Sequence, residues 1–357
     1  MSSNRQLLEH LAGTGVLRVR LGSTFSEPPR PLPPRADFGR IEGMLLGLAI
    51  GDSLGNTSEG VLPEARAASH GEIREYLLGQ GHPSDDSQLS FWTLEQLNAD
   101  RGFFPANVAR RFSAGHIYGI GNTVRQFLTA CHAGAPWERC GQPSAGNGAL
   151  MRIAPILIPH LRSPSPALWA DAALCAAITH NDSAAIASSV AFVALLWDLL
   201  ALDTPPGPQW WLSRFAGILR DLECDASYRT RCPALSGFQG PLWELLEQEL
   251  PRACEQNLPT LEACRRWYSG AYLLETAPCA LYILMRHGHD PEEAIVRAVN
   301  DTRDNDTTAA VVGAAVGALH GRAGLPHRWI QNFSGRTAAT DDGRMFELLS
   351  AARGLWG

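Results

Sequence analysis

Gly43, Gly47, Gly51 and Gly55 recur every four residues in a stretch whose apolar residues Ile41, Met44, Leu45 and Leu48 fall three and four apart. That spacing predicts a helix, and the four glycines give it one bare face. Gly313, Gly317 and Gly321 repeat the device near the other end of the chain. A glycine inside a helix costs roughly 1 kcal/mol relative to alanine, so seven of them in two segments ask for a compensating close approach, by a neighbour or by a ligand. Tight helix packing is sufficient by itself.

Helical spacing continues to the end of the chain through windows filled by Ala, Leu, Arg and Glu, whereas the Val/Ile/Thr alternation of strands is scarce. An all-α domain is expected. The 357 residues can bury a substantial core as one large domain or two ordinary ones. The balance of 45% apolar and 18% charged residues suggests neither disorder nor a membrane protein. The longest apolar run, 184–202, is interrupted by Ser188, Ser189 and Asp198, which suits a buried helix better than a membrane span. Residues 1–37 carry Pro28, Pro29, Pro31, Pro33 and Pro34, which favour extended polyproline-like backbone. They read as an arm ahead of a main domain at 38–357. Residues 203–263 carry no assignable motif and are expected to cover the core with helices and loops.

A net charge of −6 gives no general attraction for nucleic acid or anionic lipid. The eight cysteines form no C-x-x-C pair in a chain too long to need staples, so they read as reduced and intracellular. The N-terminus lacks a positively charged start followed by an apolar run, so no secretory signal is expected and the cytoplasm is the expected location.

Two acidic segments stand immediately before apolar helical stretches: Ser84-Asp85-Asp86-Ser87 and Asp304-Asn305-Asp306-Thr307. Either one alone is an ordinary helix N-cap, whose oxygens accept the free backbone N–H groups of a first turn. A cap needs one oxygen, however, and each segment offers two carboxylates with neighbouring hydroxyls. Brought face to face, they could hold one or two hard cations such as Mg²⁺. Between them lies Ser144-Ala145-Gly146-Asn147-Gly148-Ala149-Leu150-Met151-Arg152, either a phosphate cradle or simply a tight turn. His180, ahead of the capping cluster Asn181-Asp182-Ser183, reads as structural by itself, and Glu59, seven residues after Asp52, as a surface carboxylate.

Taken in order, these segments resemble the ADP-ribosylglycohydrolase family from about Phe38 to Gly321. The resemblance rests on G-x-x-x-G-D-x-x-G at 47–55, S-D-D-S at 84–87, G-N-G-x-x-M-R at 146–152, T-H at 179–180 and D-N-D-T-x-A at 304–309. It implies an all-α fold, a compact orthogonal helical bundle around a central cleft with a binuclear magnesium site, manganese serving as a substitute. By the same carry-over the metal ligands are Ser84, Asp85, Asp86, Asp304, Asp306 and Thr307. Ser144, Gly146, Asn147 and Gly148 line an ADP-ribose cleft, His180 lies near its adenosine end, and Gly119 to Gly121 resembles a diphosphate-side loop. Glu59 matches a metal-side glutamate of the serine-directed branch. Two departures stand out. Ser84 and Ser87 replace the usual threonines, which keeps a hydroxyl ligand. Arg303 replaces a glycine beside the cleft, where it could reach phosphate or the leaving group.

The implied reaction is hydrolysis of the ribose C1″ bond of ADP-ribosylated acceptors. Glu59, Asp85 or Asp304 would orient or deprotonate the water. Arginine-linked ADP-ribose on protein is the first expectation, because the M-R-I-A-P form and the T-H pair resemble the bacterial arginine-directed branch. Serine-linked, O-acetyl and nucleic-acid-linked ADP-ribose are the alternatives, and Glu59 favours them mildly. A binding protein that retains the site without catalysis, or an arm at 1–37 that contacts a protein partner such as an ADP-ribosylating toxin, is the non-enzymatic alternative. The D-D-x-x-D pattern of prenyl synthases fails at Ser87-Gln88-Leu89, and His289-Asp290 lacks the further His-Asp set of an HD phosphohydrolase.

Overall fold

The computed structural model describes residues 3–33, 37–224 and 227–357; Pro34 of the proline cluster lies outside them. The chain is built of helices: α1 (Asn4–Gly13), α2 (Phe38–Gly55), α3 (Pro63–His70), α4 (Asp85–Asp100), α5 (Pro105–Ser113), α6 (Asn122–His132), α7 (Ala167–Ala177) and α8 (Ser183–Leu199). They continue as α9 (Pro208–Leu222), α10 (Leu242–Glu255), α11 (Thr260–Arg266), α12 (Leu273–His287), α13 (Pro291–Asp301), α14 (Asn305–Gly324), α15 (His327–Gln331) and α16 (Arg344–Trp356). The strands among the described residues are a two-residue hairpin, Tyr228–Arg229 against Gln239–Gly240. Among the described residues no helix is long and apolar enough to cross a membrane.

The starts of these helices follow local chemistry. Ser3 and Gln6 form a reciprocal capping box on α1, Asp37 caps α2, and Asp182 accepts from Ala184 and Ala185 at the start of α8. Proline occupies the first turn of α3, α5, α9 and α13, where its missing N–H has no cost.

At the centre α2 and α14 run antiparallel at backbone contact. A Cβ built on Gly47 would collide with the Gly313 carbonyl, one on Gly43 with Gly317 and Gly321, and one on Gly51 with Ala309. Bare faces on both helices are what allow this approach. Both helices are buried nearly all round, as expected of helices at the heart of a large domain, with α4, α8, α12 and α13 packed about them. The apolar run from Ala184 forms α8, buried almost throughout.

The segment ahead of Phe38 opens with α1, a helix that the proline-based reading did not include. Leu8, Leu11, Leu17, Val19 and Phe25 are buried, and α1 packs on α7. The indoles of Trp169 and Trp197 donate to the carbonyls of Glu27 and Arg30, each at 2.7 Å, so the segment lies along α7 and α8.

Candidate active site

The register of the central pair carries the C-terminal end of α2 to the N-terminal end of α14. A Cβ on Gly55 would stand 2.5 Å from the Asp306 Cα. The start of α4 meets this junction, and a carboxylate from inside α2 holds it there. Asp52 accepts from the backbone of Ser84 (2.9 and 3.1 Å) and of Ser87 (3.1 Å), and from the Ser87 hydroxyl. Two acidic segments more than 200 residues apart in sequence therefore share one centre. Carboxylate oxygens of Asp52, Asp86 and Asp306 lie within 4.8 Å of one another, as do those of Glu59, Asp304 and Asp306. Asp304 opens α14 without capping it; its carboxylate instead accepts from the Asn147 amide at 2.5 Å, and Asn147 also donates to Thr276 at 2.9 Å.

Arg66 fastens the other side. Fully buried in α3, it donates to the carbonyls of Val299 and Thr302 at 2.8 Å and of Val61 at 2.9 Å, and more weakly to Asn300 and Ser58. One guanidinium thus closes the C-terminal end of α13 and ties the loop bearing Glu59 to the segment leading into Asp304. Burial without a directly bonded carboxylate lowers its pKa to about 10.

These carboxylates are electrostatically overloaded. Desolvation, with repulsion from the neighbouring acids, raises Asp85 to about 8, and desolvation raises Asp304 to about 7 and Asp52 to about 6; Asp86 and Asp306 stand well above the ordinary range for the same reasons. Glu59, exposed at the rim, is raised by partial desolvation. One Asp86 oxygen is buried with no hydrogen-bond partner, an arrangement that an interior tolerates only if something else satisfies it. The donors are all oxygen, without histidine or cysteine, which is the set a hard divalent cation prefers. The residues present therefore fit a metal centre.

From this centre an open cleft of about 640 Å³, mouth included, runs past Gly119, Gly121, Gly146, Asn147, Gly148 and His180. Gly119 has a φ of +54°, a left-handed value that glycine adopts without strain. Gly121 leads into α6 with no side-chain cap, so the first N–H groups of that helix, at Asn122, Thr123 and Val124, border the cleft and favour a negatively charged group. Gln88 holds the preceding loop, accepting from the Tyr118 N–H at 2.9 Å and donating to the His116 carbonyl at 3.1 Å.

His180 closes the far end, and its buried surroundings define its state. Arg152 donates to the Thr179 hydroxyl at 2.7 Å, which leaves the Thr179 proton for His180 Nδ1, 2.9 Å away. The ring proton is thereby assigned to Nε2, on the side where Gly146 and Gly148 approach. Desolvation and the Arg152 charge lower His180 to about 3, so it is a neutral donor across the working pH range. A Cβ on Gly148 would sit 2.8 Å from the ring, which is why glycine stands there.

The expected site residues therefore converge, with three standing off the cleft wall. Asp85, Asp86, Asp304, Asp306, Thr307, Glu59 and the expected glycines, with Asn147 and His180, line it. Ser84 caps α4 beneath the acids. Ser144 is turned inward, accepting from the Gly146 N–H at 3.2 Å and the Thr123 hydroxyl at 2.9 Å. Arg303 lies over the Tyr268 ring, 4.1 Å from its centroid, and faces a neighbouring hollow. Sequence reasoning assigned no role to Asp52, Arg66, Gln88 or Arg152. An aspartate in the middle of a glycine-striped apolar helix was the available signal for the first.

The ADP-ribosylglycohydrolase family model matches residues 33–355. The ADP-ribosylarginine hydrolase Tri1 of Pseudomonas putida strain GB-1 is 27% identical, covering 84% of this chain and 76% of the relative. The ADP-ribosylhydrolase ARH3 of Gallus gallus is 26% identical over 87% of this chain and 92% of the relative. A solved structure titled ADP-ribosylglycohydrolase-related protein complex superposes with a TM-score of 0.65 at 27% identity, covering 89% of this chain and 97% of that one.

Proposed function

Since the chain belongs to the ADP-ribosylglycohydrolase family and is accordingly a glycosidic-bond hydrolase, we propose that it cuts the ribose C1″ bond of ADP-ribosylated acceptors in a magnesium-dependent reaction, arginine-linked ADP-ribose on protein being the first acceptor. The observation that carries this reading is the pair of overlapping carboxylate sets, one with an orphaned buried oxygen, at the end of a glycine-lined cleft. Two magnesium ions would be held by Ser84, Asp85, Asp86, Asp304, Asp306 and Thr307, manganese being an acceptable substitute. When bound, they would supply the positive charge that neutralises these acids and makes water more acidic near neutral pH.

The protein's own groups have separate tasks. Departure of the acceptor from C1″ builds oxocarbenium character, so the ribose must be held still and a water aligned behind it. Glu59, at the rim, is the carboxylate most open to that water; Asp85 and Asp304 are the other candidates for orienting or deprotonating it. The uncapped start of α6 suits the diphosphate, and His180, fixed as an Nε2–H donor, suits an acceptor atom at the adenosine end. Eight free thiols fit a reducing compartment, the cytoplasm. A second reading, serine-linked ADP-ribose, is favoured by Glu59 standing within the metal set.

The test incubates the purified protein with arginine-linked and serine-linked ADP-ribosylated proteins, with Mg²⁺ or EDTA, and measures released ADP-ribose by chromatography beside Asp304→Ala. Release that needs both metal and Asp304 is expected. Release unaffected by EDTA would remove the metal role, and no release from either linkage would remove the proposed reaction.

A further inference from the structure

A second hollow adjoins the cleft behind the segment that carries Asp304. Arg303 and Asp304 are consecutive, and their N–H groups donate to the Ser269 carbonyl at 3.2 and 3.0 Å. Asp304 borders the carboxylate centre, whereas Arg303 borders a hollow of about 550 Å³, mouth included, walled by Leu62, Pro63, Tyr268, Ser269, the Glu64–Arg265 ion pair and Asp301, whose carboxylate is engaged by Thr260 and Arg297.

The guanidiniums around it are engaged in holding the fold. Arg66 is enclosed by carbonyls, Arg231 makes a bidentate pair with the fully buried Glu275 (2.8 and 2.7 Å), and Arg266 pairs with Glu249 at 2.7 Å. Arg303 is different: it stacks on Tyr268 and among the described residues has no carboxylate partner. The backbone beneath it is strained to that end. Tyr268 and Ser269 have φ values of +73° and +49°, which side-chain-bearing residues adopt only when their surroundings compel it, and the Asp304 and Arg303 N–H bonds supply that compulsion. Leu62, 49% exposed, lines the hollow from the Glu59 loop, with Val61, 39% exposed, preceding it, and the loop is tied back by Gly60 N–H donating to the Arg303 carbonyl at 3.0 Å.

We propose that this hollow is an acceptor subsite that receives a carboxylate-bearing side chain flanking the ADP-ribosylated residue, with the carboxylate on Arg303 and an apolar neighbour on Val61 and Leu62. The proposal rests on the hydrolase reading above. A single unpartnered guanidinium beside the exposed Leu62 suits a peptide side chain; a phosphate backbone calls for a row of cations, which a chain of net charge −6 does not offer here.

The experiment compares kcat/KM for two ADP-ribosyl-arginine peptides with Glu or Gln next to the modified arginine, and for an ADP-ribosylated oligonucleotide, at low and high salt. A preference for Glu of about fivefold is expected at low salt, shrinking as salt screens the pair. It should vanish in Arg303→Gln and return in part in Arg303→Lys. Equal rates on the two peptides in the wild type, or a preference unchanged in Arg303→Gln, overturns the subsite while leaving the hydrolase reading intact. An Arg303-dependent rate on the oligonucleotide alone overturns the peptide assignment. No hydrolysis of either arginine peptide by the wild type overturns the subsite together with the arginine linkage, the serine-linked substrate of the preceding test then deciding whether the hydrolase reading stands.

Discussion

Replacing Gly47 by alanine and, separately, Gly217 by alanine should move stability in opposite directions. Both glycines lie inside helices, where alanine is intrinsically better by about 1 kcal/mol. Gly217, in α9, has nothing within 4 Å of where its Cβ would be, so Gly217→Ala should gain about that amount. At Gly47 the new methyl would run into the carbonyl oxygen and carbon of Gly313 on the facing helix. A carbonyl fixed in a helix cannot swing aside as a side chain can, so α2 and α14 must part. Overpacking of this kind costs about 1 to 3 kcal/mol, and the upper end applies to a backbone collision. After the propensity gain, Gly47→Ala should lose about 2 kcal/mol. Thermal unfolding of a domain this large moves by roughly 2 °C for each kcal/mol, so the two melting temperatures should separate by about 6 °C. Differential scanning calorimetry of both variants beside the wild type gives the answer. Two shifts of the same sign would refute the argument that backbone contact between the glycine faces sets the core.

Two further outcomes follow from the carboxylate centre. Because burial raises Asp52, Asp304 and Asp85 to about 6, 7 and 8, the metal-free fold binds protons that the unfolded chain has already released. It should therefore become less stable as pH climbs through that window, and the melting-temperature gain from added Mg²⁺ should be larger above pH of about 8 than below about 6; a gain independent of pH, measured by differential scanning fluorimetry, would contradict this. Asp52→Asn puts an amide N–H₂ against the N–H groups of Ser84 and Ser87, so the turn carrying Asp85 and Asp86 should loosen and Mg²⁺ affinity fall by about tenfold to a hundredfold, which isothermal titration would detect and an unchanged affinity would disprove.

The parts legible in the sequence were those written locally. The glycine faces announced two helices needing intimate contact, and the two acidic segments announced helix starts with more oxygen than a cap requires. What escaped was set by contacts across the fold. Asp52 reaches Ser84 and Ser87 some 32 and 35 residues on, and no local pattern marks that reach. Arg66 sits in Pro63–His70, a short helix that is mostly exposed, and its carbonyl partners at 299 and 302 lie 233 and 236 residues away. Ser144 belongs to the expected motif, yet its hydroxyl is used to brace the loop. In α1 the cue was present, since Ser3 and Gln6 have capping-box spacing, but the prolines beyond it drew the reading toward extended chain.

The two ends of this site are held by different means. Apart from Glu59, which the 58–62 loop carries, the carboxylates come from helices whose spacing is fixed by the α2–α14 contact, so moving one of those acids means moving the core. The acceptor side proposed above is made instead by the loop at 58–62 and the turn at 268–270, held by Arg66, by Arg303 and by the Arg231–Glu275 pair. Loops on a rigid scaffold can change without disturbing it. Substitutions in the glycine faces should thus alter stability and metal affinity together, whereas changes at Arg303, Val61 or Leu62 should alter which acceptor is preferred while metal affinity stays near its original value. A variant of Leu62 that lost metal affinity as severely as Asp52→Asn would break this division, because it would mean that the loop, and not the helix register, holds the acids in place.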